Sequence, residues 1–190
     1  MTEQQPYDVL ERHPGFELRH YPHSVVAEVT VNGSFESAGN KAFRLLFGYI
    51  TGQNRSARSV AMTAPVLQEA AESEKLAMTA PVVQHEDASG EHVIAFVLPA
   101  SLTHETAPTP TDPRVRLREV HESLTAVSRY SGRWTESSYR RHLAELRAAV
   151  AAADLVAVGP PRLARYDPPL RPWFLRRNEV LLDVERASAV

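Results

Sequence analysis

No cysteine occurs among the 190 residues. That absence excludes disulfides, thiolate metal sites, a cysteine nucleophile and cofactor attachment through C-x-x-C-H. Lysine is nearly as scarce, with Lys41 and Lys75 the only two among 21 basic side chains. The formal net charge is −2, so no field of the whole chain recruits nucleic acid or an anionic membrane. The opening MTEQQPYDVLERHPG has neither the basic nor the apolar segment of a signal peptide. The longest apolar run, around Ala148–Val158, is short and carries Asp154, which rules it out as a membrane span. These absences read as a soluble, cytoplasmic protein with no membrane insertion. H-E-x-x-H, G-x-S-x-G, a phosphate-cradling glycine loop and a spaced zinc set are also missing. No catalytic residue can be named, and activity as an enzyme is not the expectation.

What is present suits one globular unit. Hydrophobic residues make up 43% and charged residues 23%, enough for one sizeable core in a chain of this length. We expect a single domain over 1–190, its core at about 7–184, with 185–190 as a frayed tail. YDVLER (7–12) and FELRHY (16–21) predict short strands around the turn His13-Pro14-Gly15. SVVAEVTVNG (24–33) alternates Val25, Ala27, Val29 and Val31 against Glu28 and Thr30, a half-buried strand. Phe35, Ala38, Ala42, Leu46 and Tyr49 then recur at helical spacing, with Ser34 as N-cap and Gly52 as stop. HVIAFVLP (92–99) predicts a strand that is apolar on both faces.

The second half repeats this order. RVRLREV (114–120) and LTAVSRYSG (124–132) read as strands. TESSYRRHLAELRAAVAAAD (135–154) reads as a helix with Tyr139, Leu143, Leu146 and Val150 in one stripe. RLARYDPP (162–169) and NEVLLDV (178–184) close the chain as strands around a Pro-rich turn. The fold class is therefore α+β: two pseudo-symmetric strand–helix–strand–strand halves forming one curved or barrel-like sheet, with the helices outside. A cleft between sheet and helices is the natural place for an apolar ligand.

One short phrase occurs twice. AMTAPV stands at 61–66 and again at 77–82. Two copies at this interval are too few and too close for a solenoid repeat. Each carries a proline, which prefers a strand end, edge or bulge. The polar stretch Gln68–Lys75 turns between them, so two antiparallel segments at the cleft wall are expected.

The AMTAPV pair, the segment FGYITGQN (47–54) and the closing YDPPLRPWFLRRNEV (166–180) together resemble the SOUL/haem-binding-protein family, over roughly Tyr7 to Val184. The resemblance implies a distorted antiparallel β-barrel flanked by two helices, an architecture shared with GyrI-like effector domains. It also implies reversible, non-covalent binding of haem and related tetrapyrroles, as a cytoplasmic buffer or carrier that hands haem to an unidentified partner. Two positions depart from the family pattern: His92 stands where an aromatic is common, and Thr109 where a lysine is common. Two other readings stay open, a sensor or scavenger of other amphiphilic small molecules with Glu179 as its acid, and an enzyme on a tetrapyrrole or small electrophile using Glu179 or Tyr166.

The same resemblance nominates ligand contacts. Met62, in the first repeat, is a soft thioether contact for a macrocycle, with Met78 its counterpart in the second. His20, in ELRHYP, matches a proposed axial iron ligand and is the first metal-ligand candidate, with His23 a weaker one and the Met62 thioether a weak one. Arg171, Arg55 and Arg58 are the candidates to hold the propionates. Leu46, Tyr49, Ile50 and Phe174 would supply apolar wall. Arg176 and Arg177 are as well explained by a structural network with Glu179.

Overall fold

The computed structural model describes residues 3–56, 73–168 and 170–187. Arg58, Met62 and the whole first AMTAPV copy lie outside the described residues.

Thirteen strands and two α-helices follow one another along the described chain. Strand β1 is Glu3–Gln4, β2 Asp8–His13, β3 Phe16–Tyr21 and β4 Ser24–Val31. Helix α1 spans Phe35–Ile50 and is followed by β5, Asn54–Arg55. Then come β6 (Thr79–Ala80), β7 (Val82–Glu86), β8 (His92–Val97) and β9 (Thr109–Pro110). The second half holds β10 (Arg116–Val120), β11 (Ser123–Tyr130), α2 (Glu136–Ala152), β12 (Leu155–Arg165) and β13 (Asn178–Arg186). A short 3₁₀ turn, Trp173–Leu175, precedes β13.

Both helices start where the sequence supplies a hydroxyl. Ser34 Oγ accepts from Ser37 N–H, and Thr135 Oγ1 accepts from Ser138 N–H. Helix α1 buries Phe35, Ala38, Ala42, Leu46 and Tyr49, the stripe that the spacing predicts. Helix α2 buries Leu146 and Val150 and packs Tyr139 and Leu143 against the same core.

Nine strands form one sheet in the order β10-β4-β8-β7-β12-β13-β11-β3-β2, every neighbouring pair antiparallel. Apart from the edge strand β2, which has no counterpart, the order is palindromic about the β7–β12 seam once the two halves are aligned. Each half contributes a first strand (β3 or β10), a second (β4 or β11), a helix, and then two more (β7 and β8, or β12 and β13). The first strands are exchanged: β3 pairs with β11 of the other half, and β10 pairs with β4. The duplication read from the sequence is thus built into the hydrogen-bond ladder.

The sheet is not closed; β10 and β2 remain as edges. It does curl. A cavity of about 310 Å³ on the face away from the helices touches side chains from β10, β4, β8, β7, β12 and β13. An open, curled sheet is what the barrel expectation amounts to here. On the helical face, Val25, Ala27, Val29, Ile94 and Phe96 pack beneath α1, while Leu18, Leu163, Val180 and Leu182 pack beneath α2. Leu18, Ile94 and Leu163 are completely buried, and each contributes about 1.5–3 kcal/mol on transfer from water. The strands of the first half are apolar on both faces because Val26, Ala95 and Val97 fill the opposite side.

A cleft with an unpaired guanidinium

Where the two halves meet, the helical face opens into a cleft of about 290 Å³. One wall is the first part of α1, with Gly39, Asn40 and Phe43. The floor is Val82 and Gln84 of β7 and Ile94 of β8. The second repeat copy supplies Met78, Thr79 and Ala80. Trp134, just before α2, and the end of β12 with Arg165, Tyr166, Asp167 and Pro168 form the far side. The cleft therefore straddles the β7–β12 seam.

Local sequence explains each wall. The chain before Met78 is tied to the end of α1: Leu76 N–H donates to Ile50 C=O at 2.8 Å. The buried Asn54 amide donates to Tyr49 C=O at 2.7 Å and to Glu74 C=O at 2.8 Å, and its Oδ1 accepts from Glu74 N–H at 2.9 Å. Trp134 is fixed by its indole N–H, which donates to Asn178 Oδ1 at 2.7 Å. Gly39 leaves room for the far wall, since a Cβ at this position would stand 2.6 Å from Arg165 Nη1.

Arg165 is the unusual member. Along β12, Leu163 and Arg165 point to the same, helical side, so a guanidinium occupies an inward position of a core strand. It lies against the faces of Phe35 and Trp134, at 5.9 and 5.3 Å from the ring centres. Its Nη2 donates to Gln84 Oε1, and Gln84 in turn donates from Nε2 to Phe35 C=O at 3.0 Å. Its Nε is buried without a hydrogen-bond partner. Among the described residues no carboxylate makes an ion pair with it. Burial accordingly pulls the Arg165 guanidinium down to about 10. Arg19, the fully buried arginine among the described residues, is paired with Glu179, whereas the half-buried Arg165 is held by amide and aromatic contacts.

Tyr166, the next residue, turns to the opposite face and joins a second cluster. Glu179 is wholly buried there. It accepts from Tyr166 Oη at 2.7 Å, from Arg19 Nη1 at 3.0 Å and from Arg177 Nη2 at 2.7 Å. Burial, then Glu179, pushes the Tyr166 phenol well above its usual range. For Arg19, burial opposes the charge, but the hydrogen bond and charge of Glu179 together with Tyr21 outweigh it and the guanidinium is held charged. Arg177 and Glu179 thus form the structural network that RRNEV suggests.

The candidates nominated from sequence do not gather in one place. Leu46, Tyr49 and Ile50 lie in the core beneath α1, with Tyr49 Oη donating to Pro108 C=O at 2.8 Å. His20 lies on β3, second from the sheet edge, with Nε2 3.5 Å from Glu122; it lines no part of the cleft. Arg55 is exposed on β5, opposite Thr109. Arg171 pairs with Asp167 at 2.6 Å and so sits beside the cleft wall. Phe174 is exposed in the 3₁₀ turn, edge-on to Trp173. Met78 does line the cleft. Arg165, Gln84, Gly39 and Trp134 were not nominated; the signal for Arg165 is a charge at an inward position of the alternating RLARY. No group of three or more His, Asp or Glu able to hold a metal ion occurs among the described residues.

Comparison with known proteins follows from this geometry. The family model described as SOUL heme-binding protein matches residues 2–183. "Heme-binding protein 1" of Xenopus tropicalis is 28% identical over 169 residues, covering 87% of this chain and 81% of its own. The solved C-terminal domain of EcmrR superposes with a TM-score of 0.62 at 11% identity, covering 95% of this chain and 98% of that one. A structure titled as a hydrolase from Listeria innocua gives 0.63 at 14% identity, covering 93% and 94%. At those identities the two structures speak to the fold alone.

Proposed function

The chain belongs to the SOUL heme-binding protein family, and from that premise we propose that it binds haem non-covalently in the cleft between α1, Trp134 and the end of β12, as a haem buffer or carrier in the cytoplasm. The observation that carries this reading is Arg165. A half-buried guanidinium whose Nε is buried without a partner, and which has no carboxylate beside it, is costly to maintain unless an anionic group completes it. Much of the cleft around it is apolar, walled by Phe43, Met78, Val82, Ile94 and Trp134, with Asn40, Thr79, Gln84, Tyr166 and Asp167 as its polar lining. An amphiphilic anion with a flat apolar body and a carboxylate suits that arrangement, and haem is such a molecule.

In this reading Arg165 anchors one propionate through a charge-assisted hydrogen bond from its unpartnered edge. Phe43 and Trp134 offer apolar ring surface to the macrocycle, and Met78 offers a polarizable thioether. Arg171, one contact from the wall through Asp167, is placed for the second propionate. No histidine lines the cleft, so affinity rests on the porphyrin and its carboxylates more than on iron. Haem, when bound, supplies the redox-active iron; the chain's own residues hold the ring and its acids.

The test is a titration of the purified protein with haemin and, in parallel, with metal-free protoporphyrin. Saturable one-to-one binding of both, with affinities within about tenfold, is expected. Haemin binding that is unsaturable, or that vanishes for the metal-free ring, would contradict the reading. A small-amphiphile sensor, the second reading, has less support: Glu179, the acid that reading names, already accepts from Arg19, Arg177 and Tyr166.

A further inference from the structure

Beyond the cleft, the turn that leads into β13 is built unlike the rest of the surface. Four large apolar side chains stand exposed within six residues: Leu170 (95%), Trp173 (49%), Phe174 (58%) and Leu175 (52%). Trp173–Leu175 form a single 3₁₀ turn. Three residues complete a turn of such a helix, so neighbouring side chains point about 120° apart. The indole, the phenyl and the leucine therefore radiate in different directions from one tip. A flat patch on a folded partner can cover one or two such directions. A fluid interface can wet all of them.

Three guanidinium groups and one carboxylate lie around this tip. Arg133 holds its guanidinium 5.5 Å from the Trp173 ring, and Arg171 and Arg176 flank the turn within the chain. The nearby acid, Asp167, is occupied by Arg171 Nη1 at 2.6 Å and by Arg177 N–H at 2.5 Å. A locally cationic surface thus sits on a chain whose formal net charge is −2. Aromatic and aliphatic side chains ringed by arginine are the combination that settles at the headgroup level of an anionic bilayer, the rings among the acyl chains and the guanidinium groups on lipid phosphates.

We propose that the 170–176 turn docks the protein onto anionic lipid membranes. No helix among the described residues is long and apolar enough to cross a membrane, so the contact is peripheral and reversible. The turn continues directly from Asp167 and Pro168 of the cleft wall, and Arg176 lies over Trp134, 4.3 Å from its ring centre. Docking would place the cleft mouth beside the lipid surface, where amphiphilic ligands dissolve.

The experiment uses ligand-free protein with extruded vesicles of phosphatidylcholine alone or with a quarter phosphatidylserine. The parent should co-sediment with the anionic vesicles at least tenfold more tightly than with neutral ones, and lose that binding in 0.5 M salt. Its tryptophan emission should shift to the blue on binding. The variant Leu170→Ser/Trp173→Ser/Phe174→Ser, checked by circular dichroism, should bind at least tenfold more weakly. Absence of binding to anionic vesicles at low salt overturns the proposal, as does equal binding by parent and variant. Should the variant fail to fold, an unshifted emission of vesicle-bound parent overturns it instead. Because no haem is present, failure here leaves the porphyrin titration to stand or fall by itself.

Discussion

Tyr166 donates its phenolic hydrogen to Glu179 Oε2 at 2.7 Å, and through this one bond the wall of the cleft is tied to a buried carboxylate on the opposite face of the sheet. Glu179 also receives two guanidinium groups, Arg19 and Arg177. Arg19 is itself buried and stacks 4.2 Å from the Tyr7 ring centre. The cluster joins β3, β12 and β13, strands from both halves.

Removing the carboxylate would leave Arg177 and the Tyr166 phenol without their shared carboxylate, and Arg19 with Glu17 as its remaining anion. Glu179→Ala is therefore expected to cost about 3–5 kcal/mol of unfolding free energy, the usual penalty for breaking a buried pair from one side. Urea denaturation measures it. A loss under about 1 kcal/mol would show that the cluster is not a structural bolt.

His85 sets a pH window. Burial, then Arg118, holds its imidazole below the ordinary value of 6.5. In the unfolded chain it takes up a proton near that value, whereas in the fold it resists until lower pH. Between these two points the unfolded state binds more protons, so stability rises with pH. The contribution is complete above about 6.5 and is lost as pH falls through the folded value. The melting temperature of the parent should drop as pH falls below about 6.5, and His85→Gln should flatten that part of the curve. An unchanged slope in the variant would assign the drop elsewhere.

Gly39 separates folding from binding. Alanine at a helix interior is favoured over glycine by about 0.5–1 kcal/mol, yet a Cβ at this position meets the Arg165 guanidinium at 2.6 Å. Gly39→Ala should leave the melting temperature within a few degrees of the parent and weaken haemin binding several-fold. Unaltered affinity would mean that the guanidinium can shift without consequence.

Much of the architecture was legible in the sequence for a plain reason: periodicity reports which side of an element is buried. The α1 stripe, the Ser34 cap, the two-faced apolar β8 and the repeated order of elements all follow from it. The exchange of β3 and β10 was not legible, because a period-2 pattern gives the face of a strand and not its neighbour. The site was harder. Leu46, Tyr49 and Ile50 carry the same apolar signal whether they line a ligand or fill a core, and here they fill the core. Arg165 was hidden by its chemistry: among 21 basic residues, only strand parity with Leu163 distinguishes it from a surface arginine. His20 shares that parity argument, but a position on the helical face does not reach the seam when the strand is second from the edge.

The most direct measurement is the haemin affinity of Arg165→Met, set against that of haem dimethyl ester, whose carboxylates are blocked. A charge-assisted hydrogen bond contributes about 1.5–3 kcal/mol, or roughly ten- to a hundredfold in affinity. Arg165→Met should therefore bind haemin at least tenfold more weakly than the parent, bind the ester as the parent does, and melt at an equal or higher temperature. Equal haemin affinity in parent and variant, or an equal loss for the ester, would contradict the assignment of Arg165 as the anchor of a carboxylate in this cleft.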